Sequence, residues 1–292
     1  MTGINSRNRD SKRNLLRQRY QTDLTGALSE AGSGPILVHS DLARVMSVVA
    51  PESSPQALLG RHMDLLREVA GERPLWFPTF NYDFTRSGHF NVSDDPSQVG
   101  ALSEFARNNF TYWRTPIPVF SVAGNGPDPY PALSYELDPF GDQSAFSTLV
   151  ELDGAILFYG AGLHSCTTIH HAERKAGGPI YRYDKVFSGR VVDSDGTCRE
   201  HVFRYHVRPM GWSLDYDWSR LGIELQEAGV ARAVTVPGGT TLVLGARALV
   251  NHWSHQIKHD PLYLLDAESR DWVAPLLDRL GRPFHIEDFE EV

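Results

Sequence analysis

Residues 153–173, DGAILFYGAGLHSCTTIHHAE, hold the transition that decides the fold. An apolar run from Ala155 to Tyr159 stops at Gly160-Ala161-Gly162. A polar stretch follows, with three histidines, a cysteine, two threonines and a glutamate. A short apolar run bounded by glycines reads as a buried strand. The polar stretch behind it predicts a helix beginning near Thr167. Strand, turn and helix in succession are the repeating unit of α/β proteins.

The same grammar recurs on the N-terminal side. PILVHS (35–40), PLWFPTF (74–80) and PVFSVAGNG (118–126) read as strands. Between them, 16–33, 42–49, 53–71, 100–109 and 144–152 carry helical spacing or helix punctuation, such as Ser54-Pro55 before and Gly71 after. Residues 81–96, NYDFTRSGHFNVSDDP, read as a long polar and aromatic loop, a kind of segment that is often functional. Beyond 180 the period changes. Residues 181–209 alternate around Asp195-Gly196, which predicts an antiparallel hairpin over about 180–209. Helices are expected over 217–229, 246–257 and 268–281. The expectation is a mixed α/β sheet covered by helices on both faces, three layers in all, with the hairpin as an extension. It forms one domain over 16–292 behind a flexible arm, 1–15.

The chain has 292 residues, 28 Lys+Arg against 36 Asp+Glu, and a formal charge of −8. That disfavours nucleic acid and anionic membranes as partners. The basic start lacks the apolar core of a secretory signal, and no apolar run approaches the ~20 residues of a membrane span. Cys166 and Cys198 make neither a disulfide framework nor a zinc pattern, so a reducing cytoplasm fits. There is no P-loop, and GAGLHS lacks the third glycine of a dinucleotide fingerprint.

Thr167, His170 and Glu173 follow at i, i+3 and i+6, so they share one helix face. Glu173 can accept from one ring nitrogen of His170 and leave the other as a general base. Other readings remain open at this point. The pair could be a surface contact. Cys166 could be a nucleophile near a helix start. His164, His170 or His171, and Glu173 could hold a metal, as could His252, His255 and His259 at i, i+3 and i+7.

Several motifs then coincide in order. ILVHSDL (36–42), FPTFNYDF (77–84), SQVGALSEFAR (97–107), RTPIPVFSVAGNG (114–126), DPFGDQSAFSTL (138–149) and the quoted stretch together resemble the aminoglycoside 3-N-acetyltransferase family, which does not have the GNAT fold. The resemblance fades after about 210. It implies acetyl transfer from acetyl-CoA to a primary amine of an amino sugar or aminoglycoside-like acceptor, by direct transfer in a ternary complex and without a metal. In the family's G-x-G-x-x-S-x-T-x-x-H-x-x-E pattern, Gly160, Gly162, Ser165, Thr167, His170 and Glu173 match. His170 and Glu173 are thereby implied as the base pair, with His39 as a further active-site residue. Ser40, Phe120, Ser121 and Thr167 are implied at the coenzyme, Thr167 also at the oxyanion. Tyr82, Phe84, Asp83 and Asp94 of the polar loop are the expected acceptor contacts. Asp41 and the missing histidine in Arg114–Pro118 depart from the family's usual pattern; Cys166 stands where resistance members usually carry asparagine, and CTTIHHAE (166–173) looks more like the amino-sugar biosynthetic relatives. Another acyl donor, a Cys166 acyl-enzyme, a metal-dependent amidohydrolase and a non-catalytic relative are the alternatives. A homodimer is compatible with all of them.

Overall fold

The structure is a computed structural model that describes residues 2–128, 136–236 and 239–291. Its main sheet has seven strands in the order β10-β11-β7-β1-β2-β5-β4. These are β1 (Ile36–Ser40), β2 (Leu75–Pro78), β4 (Trp113–Arg114), β5 (Val122–Gly124), β7 (Ala155–Tyr159), β10 (Ala231–Val236) and β11 (Gly239–Gly245). A second sheet, β3-β8-β9-β6, comprises β3 (His89–Asn91), β6 (Glu136–Leu137), β8 (Tyr183–Val192) and β9 (Cys198–Val207). The helices are α1 (Thr2–Glu30), α2 (Leu42–Val45), α3 (Pro55–Ala70), α4 (Phe84–Ser87) and α5 (Ala101–Asn109), followed by α6 (Ala145–Glu151), α7 (Ile169–Lys175), α8 (Trp218–Glu227), α9 (Ala246–His259) and α10 (Ala267–Leu280).

β7, β1 and β2 are parallel neighbours, and β11 and β5 close on them antiparallel. The period of two then sorts their side chains. Leu37, Ile156 and Phe158 face a core built with Leu149 of α6, Ala172 of α7 and Trp253 of α9. Ile36, Val38, Leu157 and Tyr159 face the opposite core with Leu24 of α1, Leu66 of α3 and Leu102 of α5. Burial on both faces explains why these strands read as unbroken apolar runs. The three-layer mixed α/β architecture is the one expected from the sequence.

Details differ. α1 begins at Thr2 and so includes the stretch expected to be an arm. The segment 118–121 is not strand. Pro116 and Pro118 lack the N–H a ladder needs, and Val119 has φ +69°. The loop 81–96 contains α4 and β3, and β3 pairs in parallel with β8 of the hairpin. β10 and β11 pair antiparallel as a second two-stranded ribbon at one edge of the main sheet.

β1 and β7 end at the same edge, where Ser40 bridges Gly160. Gly160 has φ +74°, and a Cβ there would lie 2.4 Å from the Asp41 carbonyl oxygen. Only glycine allows this approach. The carboxyl ends of parallel strands are the usual ligand side of open α/β sheets. The second sheet stands over that edge.

Candidate active site

A cavity of about 890 Å3 opens at the carboxyl ends of β1 and β7, and His39, Phe120, Thr167, His170, Arg208 and Asp215 are among its lining residues. Its size lies at the upper end of the range for small-molecule sites, ~300–1,000 Å3.

His170 and Glu173 lie on α7, preceded by a tight turn over Leu163–Ser165 and a further turn at Thr167-Thr168. The helix therefore starts two residues later than the spacing predicts. The pair forms regardless: His170 Nδ1 stands 2.8 Å from Glu173 Oε2. His170 is partly open to the cavity, whereas Glu173 is 0% exposed. A surface pair is thus ruled out by burial.

Glu173 is held from four sides. Its Oε2 also receives His206 Nε2 at 3.1 Å. Its Oε1 accepts from the hydroxyls of Tyr181 and Tyr216, each at 2.7 Å. Arg182 Nε stands 3.7 Å away, and Arg182 donates to the Tyr216 hydroxyl. Burial alone would raise the Glu173 pKa. The Arg182 charge and the imidazole hydrogen bonds outweigh it and hold the group well below the usual carboxylate range. A permanent carboxylate accepts, so Nδ1 of His170 carries the proton and Nε2 is left as an acceptor. Burial lowers the His170 pKa, while Glu173 partly opposes that shift. The ring is therefore neutral at physiological pH.

Burial pushes His206 down to about 3. Its Nδ1 is buried and without a partner. Imidazoles of His170 and His206 meet edge to face at 5.2 Å, and Phe140 packs against both. His170, Glu173 and His206 also form the group of possible metal ligands among the described residues. Their contacts are those of hydrogen bonds. One carboxylate oxygen takes both imidazole protons, and the other takes both tyrosines. Arg182 already supplies the countercharge. A metal would have to displace protons that the arrangement uses.

His39 lines the cavity from the end of β1 and stacks on Phe158 at 5.1 Å. Burial pushes it down to about 4. Ser40, Phe120, Thr167 and Tyr82 also line the cavity. The Thr167 hydroxyl has a single long contact, 3.5 Å to the Ser165 carbonyl, and is free to turn to a ligand. Cys166 is 2% exposed, and burial pushes its thiol up to about 12. That makes a poor nucleophile.

The remaining expected contacts lie elsewhere. Ser121 is fully buried and donates to the Thr79 carbonyl. Phe84 is buried in the core of the second sheet. Asp83 pairs with Arg86 and accepts from Gln98, and Asp94 accepts from Asn91. Neither aspartate reaches the cavity lining. Their acceptor capacity is used to fold their own loop. Arg114 works the same way from inside. Its guanidinium is buried and donates to the carbonyls of Thr79, Val92 and Asp95. His255 and His259 meet ring against ring, tilted by 52°, on an exposed stretch of α9 outside the cavity lining.

Sequence reading missed Tyr181, Arg182, His206 and Tyr216. They lie up to 43 residues from Glu173, so no local spacing joins them. Strand alternation gives no signal either: in β9 the period of two buries His201, Phe203 and Tyr205, and His206 falls out of that phase, buried against Glu173.

The sequence model described as aminoglycoside 3-N-acetyltransferase matches residues 37–258. Aminoglycoside N(3)-acetyltransferase VII from Streptomyces paromomycinus is 26% identical over 269 residues, covering 81% of this chain and 89% of that one. Among solved structures, aminoglycoside acetyltransferase AAC(3)-Xa superposes with a TM-score of 0.64 at 20% identity, over 84% of this chain and 93% of that one. AAC-IIIb in its binary complex with CoASH gives 0.64 at 20% identity, over 82% and 96%. At such identities the likeness to the solved structures is one of fold.

Proposed function

The chain belongs to the aminoglycoside 3-N-acetyltransferase family, and we propose that it moves the acetyl group of acetyl-CoA onto a primary amine of an amino sugar or aminoglycoside-like acceptor. The observation that carries this reading is the clamped Glu173, which fixes a neutral His170 with its acceptor nitrogen beside the cavity.

The acceptor arrives as an ammonium and loses one proton to solvent. Its nitrogen attacks the thioester carbonyl while His170 Nε2 takes the second proton. Glu173, fixed by Tyr181, Tyr216 and His206, stabilises the imidazolium that forms. The Thr167 hydroxyl can donate to the developing oxyanion. As the carbon–sulfur bond breaks, His170 returns the proton to the thiolate. The products are the amide and the free thiol of coenzyme A. Ser40, Phe120 and Thr167 are the coenzyme contacts in this reading, with His39 beside the reacting groups. Ser121 acts from behind, by tying the loop that carries Phe120 to the Thr79 carbonyl.

The test is His170→Ala, followed by thiol release and by calorimetric titration with acetyl-CoA. Turnover should fall by about 10²–10⁴-fold, the usual worth of a general base, with acetyl-CoA affinity nearly unchanged. Turnover close to that of the unmodified protein would remove His170 from this role.

A further inference from the structure

We infer that the acceptor carries an anionic group, a phosphate or a carboxylate, beside its reactive amine, and that Arg208 and Asp215 read this pair of charges. The inference rests on the transferase reading above and narrows its acceptor.

The charge lining the cavity carries the argument. Among the described residues, Asp215 is the one carboxylate at its wall. Glu173 lies behind the wall with its charge matched by Arg182 and four donors. His39 and His170 are held neutral by burial. Arg182 is committed to Glu173 and Tyr216. Arg208 remains. It is exposed, lines the cavity, and makes no hydrogen bond or ion pair among the described residues. Asp83, Asp94 and Asp95, the carboxylates of the neighbouring loop, are bound to Arg86, Gln98 and Asn91.

A polycationic acceptor would thus meet one carboxylate and a free guanidinium. Like charges at a binding site select against a partner. An amine with an attached anion meets both. Asp215 Oδ1 accepts from the Tyr216 N–H and Trp218 Nε1, which leaves Oδ2 for an ammonium. Tyr216, the next residue, has its ring 6.4 Å from that of His170. Asp215 and His170 line the same cavity, so an ammonium on Asp215 shares it with the base. Arg208 offers a planar fork suited to phosphate or carboxylate.

The same guanidinium could instead hold a coenzyme phosphate, so the experiment separates the two. The protein saturated with CoA is titrated calorimetrically with glucosamine, glucosamine 6-phosphate and apramycin, and then the Arg208→Glu variant likewise. Glucosamine 6-phosphate should bind at least about tenfold more tightly than glucosamine, and more tightly than apramycin. One charge-assisted hydrogen bond is worth about 10- to 100-fold. Arg208→Glu should erase that advantage, strengthen apramycin binding, and leave CoA affinity within about threefold. Arg208 is exposed, and retained CoA binding reports the variant's fold. The inference is overturned if the phosphate brings no advantage or apramycin binds tightest. It is equally overturned if the substitution weakens CoA instead of the phosphorylated amine. Thiol release that fails with every amine would count against the transferase reading, while the order of affinities would still test this one.

Discussion

Replacing Glu173 with glutamine preserves shape and removes charge, and the structure sets what that should cost. Four donors converge on the carboxylate. An amide offers one oxygen and one NH2. Two of the four donors must then face protons, each at a cost of about 1–3 kcal/mol when buried. Arg182 also loses its countercharge. Breaking a buried charged cluster in this way costs about 3–5 kcal/mol. Urea unfolding of Glu173→Gln should show a loss of that size. Thiol release should fall by about 10²–10⁴-fold, because the imidazolium formed during transfer loses its support.

The pH profile supplies a second reading. In the unmodified protein activity requires neutral His170, so it should hold through neutrality and fall only in acid, below the ordinary histidine range. Glu173 raises the His170 pKa against the effect of burial. Its removal should therefore shift the acid limb to still lower pH. The double variant Glu173→Gln/Arg182→Met should recover part of the lost stability, since it removes the orphaned cation. A single variant with unfolding free energy unchanged within about 1 kcal/mol, and with its acid limb unmoved, would refute the clamp.

Further outcomes can be checked directly. Cys166→Ala should keep turnover within about threefold, because a thiol held near pKa 12 supplies almost no thiolate; a trappable acyl-enzyme would reverse this. In the native protein a thiol reagent should label exposed Cys198 and spare Cys166, as mass spectrometry of the peptides would show. His39 and His62 are both pushed down to about 4 by burial. Their folded pKa values lie below the unfolded one, so stability is fully present above pH 6.5 and is lost as pH falls toward 4. At pH 5 the loss is about 2 kcal/mol for each, and urea midpoints at pH 7.5 and 5 should differ accordingly, with His62→Gln reducing the difference. Gly160→Ala should cost about 2 kcal/mol or more, since it adds a left-handed φ penalty to a clash with the Asp41 carbonyl; an unchanged melting temperature would contradict the geometry.

The strands that bury both faces were legible because burial writes them as apolar runs: Ile36–Val38, Leu75–Phe77 and Ala155–Tyr159 all read correctly. The His170–Glu173 pair was legible because its partners are three residues apart on one helix. The second ribbon was harder to see. Its strand Ala231–Val236 buries only Ala231, Val234 and Val236 and exposes Arg232, Ala233 and Thr235 between them, which weakens both an apolar and an alternating signal. Phe84, Asp83 and Asp94 went astray for a related reason. Residue type alone cannot tell an aromatic that fills a core from one that stacks on a sugar, or an aspartate that faces a ligand from one that closes a turn. The tyrosines and His206 were invisible because tertiary pairing, not sequence distance, brings them to Glu173.

Those distances have a consequence for the order in which the molecule can be made. Glu173 leaves the ribosome before any of its other partners beyond His170. Tyr181 and Arg182 follow within ten residues, but His206 and Tyr216 come 33 and 43 residues later. Until then the carboxylate has no reason to leave water, and α7 has no reason to seat against the sheet with it. The base is therefore assembled late, when the hairpin and the segment behind it have docked. A nascent or truncated chain that ends before Tyr216 would carry His170 yet have no poised imidazole, so acquisition of activity marks docking of the hairpin and of the segment that carries Tyr216.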